Sequence, residues 1–309
     1  MFRENAPGNI SSIVYVEGLH GLGDNIFQRP FVKDLATRIK MVWVRTPWPQ
    51  IYWDIPNVQF VHCPSGLRTQ AKNLGLIQGK IPYVLRSAAE GCAHARVNFF
   101  YHFDHLAVGS ITDAFRKQCP PAGKLDFDLP KFAGPPIKKP YIVVRPATIR
   151  SEWKNPARNP DPTYIAQAAE QLRKHFTIVS VADLETNVEW IEGEEPYADH
   201  KFHGGELDVT YLLGLIRHAA GCVGGIGWLL PAAVAYHVPL LAILGGMGGH
   251  NAPAKVTDKD QDLSRVVWAK PDNFCKNCVD FNHPCAKFIG NFRGRLNEFE
   301  DVVCRAIAE

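Results

Sequence analysis

The feature that most constrains this chain is a glycine-rich turn set between a buried strand and a helix, because it commits the start of the fold to a parallel sheet. Ser12 to Val16 (SIVYV) is a short β-branched and aromatic run. It closes on Glu17-Gly18-Leu19-His20-Gly21-Leu22-Gly23-Asp24-Asn25. Ile26, Phe31, Leu35 and Ile39 then recur at helical spacing, and Met41 to Val44 (MVWV) reads as a second buried strand. Strand, loop, helix, strand is a βαβ unit, and such crossovers join parallel neighbours.

The pattern restarts after a break. Residues 46–80 hold turn formers and aromatics without clear order. The stretch 120–140 (PPAGKLDFDLPKFAGPPIKKP) is proline-rich and reads as a stiff linker. Beyond it, strands are expected at Tyr141 to Val144, Phe176 to Val181, Cys222 to Gly225 and Leu240 to Leu244. Helices are expected at Pro162 to His175, Val209 to Ala220 and Trp228 to Tyr236, with an amphipathic terminal helix from Leu296 to Ile307. A chain of 309 residues exceeds one typical core. The reading is therefore α/β, with an N-terminal Rossmann-like domain over 1–135 and a C-terminal one over 136–290. The terminal helix, 291–309, is expected to reach back to the first domain.

Bulk properties narrow the classes. A net charge of +3 allows an anionic ligand but does not argue for wrapping a long nucleic acid. The first residues show no export signal, and the apolar stretch from Trp228 to Leu244 is broken by Pro231, His237 and Pro239, so no membrane span is expected. Eight cysteines without an export signal suggest reduced thiols and a cytoplasmic protein.

Four constellations can carry chemistry. In the first loop, Gly23 and Asn25 flank Asp24, at the carboxyl end of a strand where open α/β sheets bind ligands. Asp24 there can act as a general base or simply cap the helix. The glycine spacing is not the dinucleotide fingerprint, and Arg45 and Thr46 stand where a ribose-binding acid would be. Next, Arg145, Thr148, Arg150 and Lys154 follow a strand and suit a diphosphate, or else form a solvated loop. Gly225, Gly227, Trp228 and Leu229 then open a helix, a second anion-binding arrangement, with Trp228 either stacking on a base or sugar or belonging to the core. The last group, Cys275-x-x-Cys278 with His283 and Cys285, has the ligand types of structural zinc, with buried free thiols as the alternative. The short His283–Cys285 spacing is unusual for a tetrahedral site. Asp126-Phe127-Asp128 resembles a metal-binding D-x-D but reads as solvated linker.

Two stretches carry a family resemblance. Gly23-Asp24-Asn25-Ile26-Phe27-Gln28-Arg29-Pro30, and His218 to Gly224 followed by Leu229 to Pro239, resemble the heptosyltransferase-like glycosyltransferases of family 9. The resemblance implies the GT-B fold and transfer of a sugar, with inversion, from a nucleotide-diphosphate sugar to an acceptor hydroxyl, no cofactor being required for catalysis. By it Asp24 is the general base, Thr148, Arg150 and Lys154 meet the diphosphate, and the turn from Gly225 to Leu229 binds the donor. The acceptor would lie near Gln28, Trp48, Tyr52, Trp53 and Arg68. Ile226 and Gly227 stand where the family's turn has an Asp and a Thr, and Pro231 where it has a His. These departures set the chain apart from the usual ADP-heptose donor. Divergent phage-type relatives admit a hydroxymethylated DNA base as acceptor beside a bacterial glycan. Other classes on the same fold are a nucleotide-sugar epimerase or hydrolase, a non-catalytic nucleotide-binding protein, and a zinc-pinned nucleic-acid-binding protein.

Overall fold

The computed structural model describes residues 12–137, 140–152 and 154–309. The segment 1–11, whose composition bears on export, and Trp153 of the basic loop lie outside them. The first βαβ unit consists of β1 (Ile13–Gly18), α1 (Leu22–Arg38) and β2 (Met41–Arg45). β1 and β2 are parallel, with Val14 opposite Val42 and Val16 opposite Val44. Asp24 lies in the first turn of α1, where the helix dipole favours an acid. Pro30 lies inside α1 and removes one backbone donor, yet the helix continues because Phe27, Phe31, Val32 and Leu35 anchor it in the core.

The region without clear sequence order contains a single 3-10 turn at Pro49–Tyr52, then β3 (Val58–Val61) and α2 (Arg68–Leu76). After these come β4 (Tyr83–Val84), α3 (Arg86–Cys92), β5 (Ala95–Phe99), α4 (Phe103–Val108) and α5 (Ile111–Gln118). The strands form one parallel sheet in the order β4-β3-β2-β1-β5.

The second half begins with β6 (Tyr141–Arg145), followed by β7 (Thr148–Arg150), α6 (Pro162–Leu172), β8 (Thr177–Val181), β9 (Glu189–Ile191) and β10 (His200–Phe202). Then come α7 (Val209–Arg217), β11 (Gly221–Gly224), α8 (Leu229–Ala235), β12 (Leu240–Ile243), α9 (Gly248–Asn251), α10 (Pro253–Val256), β13 (Val266–Ala269) and α11 (Phe292–Ala308). Its parallel sheet has the order β10-β8-β6-β11-β12-β13. Part of the basic loop expected after β6 is instead β7, paired antiparallel with β9. Pro231 falls in the first turn of α8, where its missing N–H has no helical partner to lose.

The terminal helix packs on the C-terminal sheet. Phe292, Leu296, Phe299, Val302 and Val303 lie on one side of α11 and bury against Ile142, Val144 and Val223 of the C-terminal sheet. The two acids of the linker's D-x-D stay in contact with solvent, as expected, but they are also paired. Lys33 Nζ donates to Asp126 at 2.6 Å and to Asp128 at 2.7 Å. The fully buried Arg29 is shared by Asp54 at 2.7 Å and Asp128 at 3.1 Å. The D-x-D pair thus ties the linker to α1. The halves meet where the start of α1 touches the start of α8: a Cβ at Gly23 would lie 3.2 Å from Trp228 Cα. One apolar cluster runs through this seam, from Phe27 and Phe31 to Leu229 and Ala233. Among the described residues no helix is long and apolar enough to cross a membrane.

Candidate active site

Two cavities adjoin at Arg145, Thr148 and Arg150: one opens between the halves, and the other lies wholly within the C-terminal half. The larger has a mainly apolar lobe made by Leu76 of α2, Val181 at the end of β8, Ala182 just after it, Phe202, and Leu212 of α7. The smaller is cationic and is lined by Arg145, Arg150, Arg158, Asn155 and the Gly225–Gly227 turn.

Asp24 sits where the N-terminal half meets this cleft. Tyr101, just after β5, donates its hydroxyl to Asp24 Oδ1 at 3.1 Å. The backbone N–H of Gly21 donates to the same carboxylate. Asp24 is thus not the N-cap, which is Gly21, but reaches back to that residue's N–H from the first turn, next to Gly21 and Leu22 of the larger cavity's wall. Burial pushes the Asp24 carboxyl up to about 6, against the lowering effect of the Tyr101 hydrogen bond, the charge of Arg158 and the Gly21 hydrogen bond. Burial and the Asp24 charge hold the Tyr101 phenol well above its ordinary range, so it remains a donor.

Three arginines, Arg145, Arg150 and Arg158, gather around the cationic cavity. Burial, then the charge of Arg150, brings the Arg145 guanidinium down to about 10, and Arg158 adds to the effect. Arg158 Nε is buried with no hydrogen-bond partner among the described residues. Arg145 also lies over the Trp228 ring at 5.7 Å, and a Cβ at Gly227 would come 2.9 Å from its Nη1. Gly227 thus leaves the guanidinium room that a threonine would take. Crowded, desolvated guanidinium groups beside a glycine turn form a strong anion receptor.

Glu189, nearly fully buried, is the counter-charge. It binds Arg150 Nε at 2.7 Å, accepts from Thr148 Oγ1 at 2.8 Å, and pairs with Arg68 at 2.8 Å. Arg68 also reaches Asp183 at 2.7 Å, and Lys72 reaches Asp183 at 2.8 Å. These pairs hold α2 against the C-terminal half beside the larger cavity.

The structure redistributes several expected site residues. Tyr52 is fully buried and donates to the Asn25 carbonyl at 2.9 Å. Gln28 is buried and braces the Leu19 carbonyl. Trp48 lines the larger cavity but is itself 4% exposed, its Nε1 tied to the His20 carbonyl. Trp53 is exposed and packs edge-on against Phe132 of the linker. Arg68 belongs to the interdomain ion pairs. Of the donor set, Arg145, Thr148, Arg150, Gly225 and Gly227 line the cationic cavity, and Trp228 lines the other. Asn25 points away and holds the Leu19 and Gly21 carbonyls, both at 2.9 Å, while Leu229 is core and Lys154 is exposed outside both cavity walls. Tyr101, Arg158, Asn155 and Glu189 were not singled out from sequence. Arg158 shares the loop of the other basic residues, whereas nothing in the local pattern around Tyr101 marks it.

The cysteine cluster assembles. Ligand atoms of Cys275, His283 and Cys285 all lie within 4.8 Å of one another. His283 Nδ1 is 3.1 Å from Cys285 Sγ, and Cys278 Sγ is 3.5 Å from the same sulfur. A tight turn, Cys285 N–H to the His283 carbonyl at 2.7 Å, lets two residues separated only by Pro284 face one point. Sulfurs at the corners of a tetrahedron with bonds of about 2.3 Å lie about 3.8 Å apart, so Cys275, His283 and Cys285 have the donor types and proximity of three metal ligands, while Cys278 adjoins Cys285 but stands outside that mutually close group.

No protein-family model and no curated protein matches this sequence. Solved structures do. The dodecameric iron-containing heptosyltransferase TibC of enterotoxigenic Escherichia coli, solved with ADP-D-β-D-heptose, matches with a TM-score of 0.60 at 16% identity, over 97% of this chain and 79% of that one. A family 9 glycosyltransferase from Veillonella parvula matches with a TM-score of 0.60 at 14% identity, over 97% and 100%. The E. coli ADP-heptose lipopolysaccharide heptosyltransferase II matches with a TM-score of 0.58 at 13% identity, over 95% and 99%. Two parallel sheets facing across a cleft, shared with these enzymes over nearly the whole chain, are the GT-B fold.

Proposed function

We propose that this chain is a heptosyltransferase-like, inverting glycosyltransferase that takes its sugar from a nucleotide-diphosphate donor. The observation that carries the reading is a partly buried carboxylate, Asp24, set at the domain seam in the field of Arg158, which lines a cationic cavity with Arg145 and Arg150. The nucleoside enters the apolar lobe between α2 and α7, and the diphosphate lies among the arginines. Asp24 takes the proton of the acceptor hydroxyl as that oxygen attacks the anomeric carbon. The bond from that carbon to the diphosphate breaks, and its electron pair leaves with the nucleoside diphosphate. The arginines stabilise that growing negative charge, and one displacement inverts the anomeric centre. With a carboxyl titrating near 6, about nine-tenths of Asp24 is ionised at pH 7, which suits a base. No step requires a metal.

Cys275, Cys278, His283 and Cys285 form, in our reading, a structural metal site away from the reacting atoms. Thiolate and imidazole donors suit zinc or ferrous iron, and one structural neighbour is iron-containing.

The test is a thermal-shift screen against UDP-, GDP-, ADP-, CMP- and dTDP-sugars. A ligand at 100 times its dissociation constant adds about 2.7 kcal/mol. Silence across the panel would remove the transferase reading. A stabilising donor then serves in transfer assays with glycans and with hydroxymethylated DNA as acceptors.

A further inference from the structure

The run Gly245-Gly246-Met247-Gly248-Gly249 after β12 has no part in the chemistry above, yet its glycines share one cause. A Cβ at Gly246 would meet Cys285 Cβ at 2.3 Å, one at Gly248 the Cys275 carbonyl at 2.6 Å, and one at Gly249 the Cys278 carbonyl at 2.4 Å. A Cβ at Gly245 would meet the Arg158 carbonyl at 2.3 Å. The cysteine loop therefore lies directly on this run. It is bonded there by Cys275 N–H to Gly246 at 3.1 Å, Gly248 N–H to Cys275 at 2.9 Å and Gly249 N–H to Cys278 at 2.9 Å.

The same packing reaches the arginine cleft. Ala157 N–H donates to the Phe281 carbonyl, inside the cysteine loop, at 3.1 Å, and Met247 N–H donates to the Ala157 carbonyl at 3.3 Å. Asn251 Nδ2 holds the Arg158 carbonyl at 2.9 Å. Ala157, Met247 and Cys285 are buried in one apolar cluster with Phe281 packed against it. Arg158 itself is held by Asn155 and by Asn251 of α9, and its neighbour Ala157 is bonded to Phe281, in the loop between β13 and α11, and to Met247, on which that loop lies. That loop contains no helix or strand, and a long segment without regular structure needs another source of rigidity.

We infer that a thiophilic metal ion held by Cys275, Cys278, His283 and Cys285 positions Arg158, and so makes the cleft's affinity for a diphosphate depend on the metal. This rests on the placement of the donor diphosphate proposed above. The ion is a cross-link that fixes the loop, the loop fixes Ala157 and the glycine run, and these fix Arg158. Met247 and the glycines are positioning residues in this scheme.

The experiment uses the full chain and inorganic pyrophosphate as probe. Elemental analysis should find about one zinc or iron per chain. Calorimetric titration should show pyrophosphate binding to the loaded protein that weakens about tenfold or more after chelation under reducing conditions, and returns with added Zn(II). Arg158→Gln should weaken binding similarly in the loaded protein and add little in the stripped one, as expected of a shared effect. Substituting Co(II) gives a readout that does not require the stripped protein to stay folded. Saturating pyrophosphate should alter the thiolate–Co(II) absorption of the wild type but not of Arg158→Gln. Absence of a bound metal, metal-independent pyrophosphate affinity, or a Co(II) spectrum indifferent to pyrophosphate would each overturn the coupling alone. A loaded wild-type protein that binds no pyrophosphate would remove the donor cleft as well.

Discussion

Replacing Asp24 by Asn is expected to make the protein more stable near neutral pH while stopping catalysis. The carboxyl titrates near 6 in the folded chain, against an ordinary value of 3.8. A raised carboxyl favours the folded state fully below the unfolded value and loses that advantage as pH climbs through the folded one. Between about pH 4 and pH 6 the wild type therefore loses stability at this site, and above pH 7 it bears the full cost of a buried charge. At about 1.4 kcal/mol per pH unit, the gap is worth about 3 kcal/mol, and screening at the exposed edge of the carboxylate lowers it to about 1–3 kcal/mol. Asn keeps an oxygen for the Tyr101 hydroxyl and has no charge to desolvate. Urea denaturation of both proteins at pH 4, 5.5 and 7.5 measures the difference directly. The variant should gain that margin at pH 7.5, gain less at pH 5.5 and show almost none at pH 4. A difference that stays constant with pH, or a variant less stable at pH 7.5, would refute the reasoning. Transfer by the variant should fall at least a hundredfold, the usual scale of a lost general base.

Other perturbations probe separate parts of the site. Tyr101→Phe removes a donor to the Asp24 carboxylate, so the acidic limb of the rate–pH profile should move upward by about one pH unit; an unmoved limb would deny Tyr101 its role. Arg145→Gln should weaken binding of the nucleoside diphosphate that stabilises the protein most by about 10- to 100-fold in calorimetric titration, without lowering the melting temperature, because it relieves cation crowding. Arg68→Ala breaks the pairs to Asp183 and Glu189, which retain Lys72 and Arg150, and should cost about 1–2 kcal/mol in urea denaturation. Asp128→Ala leaves the buried Arg29 with Asp54 as its one carboxylate partner, beside the carbonyls of Ile51 and residue 128, and should cost about 1–3 kcal/mol by the same assay.

What could be read from sequence was what is encoded locally. The strand–glycine–helix–strand order at residues 12–44 survives because a βαβ unit needs only neighbouring residues to specify it. That Cys275, His283 and Cys285 come together was legible for the same reason, since their spacing is a property of one loop. The aromatics were not: Trp48, Tyr52 and Trp53 have similar chemistry, and only the packing of α1 against the Pro49–Tyr52 turn decides that Tyr52 is core while Trp53 meets water. Long-range convergence was equally hidden. Tyr101 is 77 residues from Asp24, and Glu189 meets Arg68 across 121, so no local period could announce either pair. The D-x-D pair was read in part: its acids do meet solvent, but their pairing with Arg29 and Lys33, remote in sequence, was hidden.

The seam at Gly23 and Trp228 bears on how such a protein can diversify. Proteins of two facing halves invite recombination, one half exchanged for another to pair a new sugar with a new recipient. Here the first turn of α1 carries Asp24 and also presses against the first turn of α8, with apolar side chains running unbroken behind both. A transplanted half would have to bring a matching surface at this point, or it would open a gap in the interior and displace Asp24 from the arginines together. Change is therefore easier in the surrounding loops than in the join, and the stretch joining the two halves is the part of such a lineage expected to vary least.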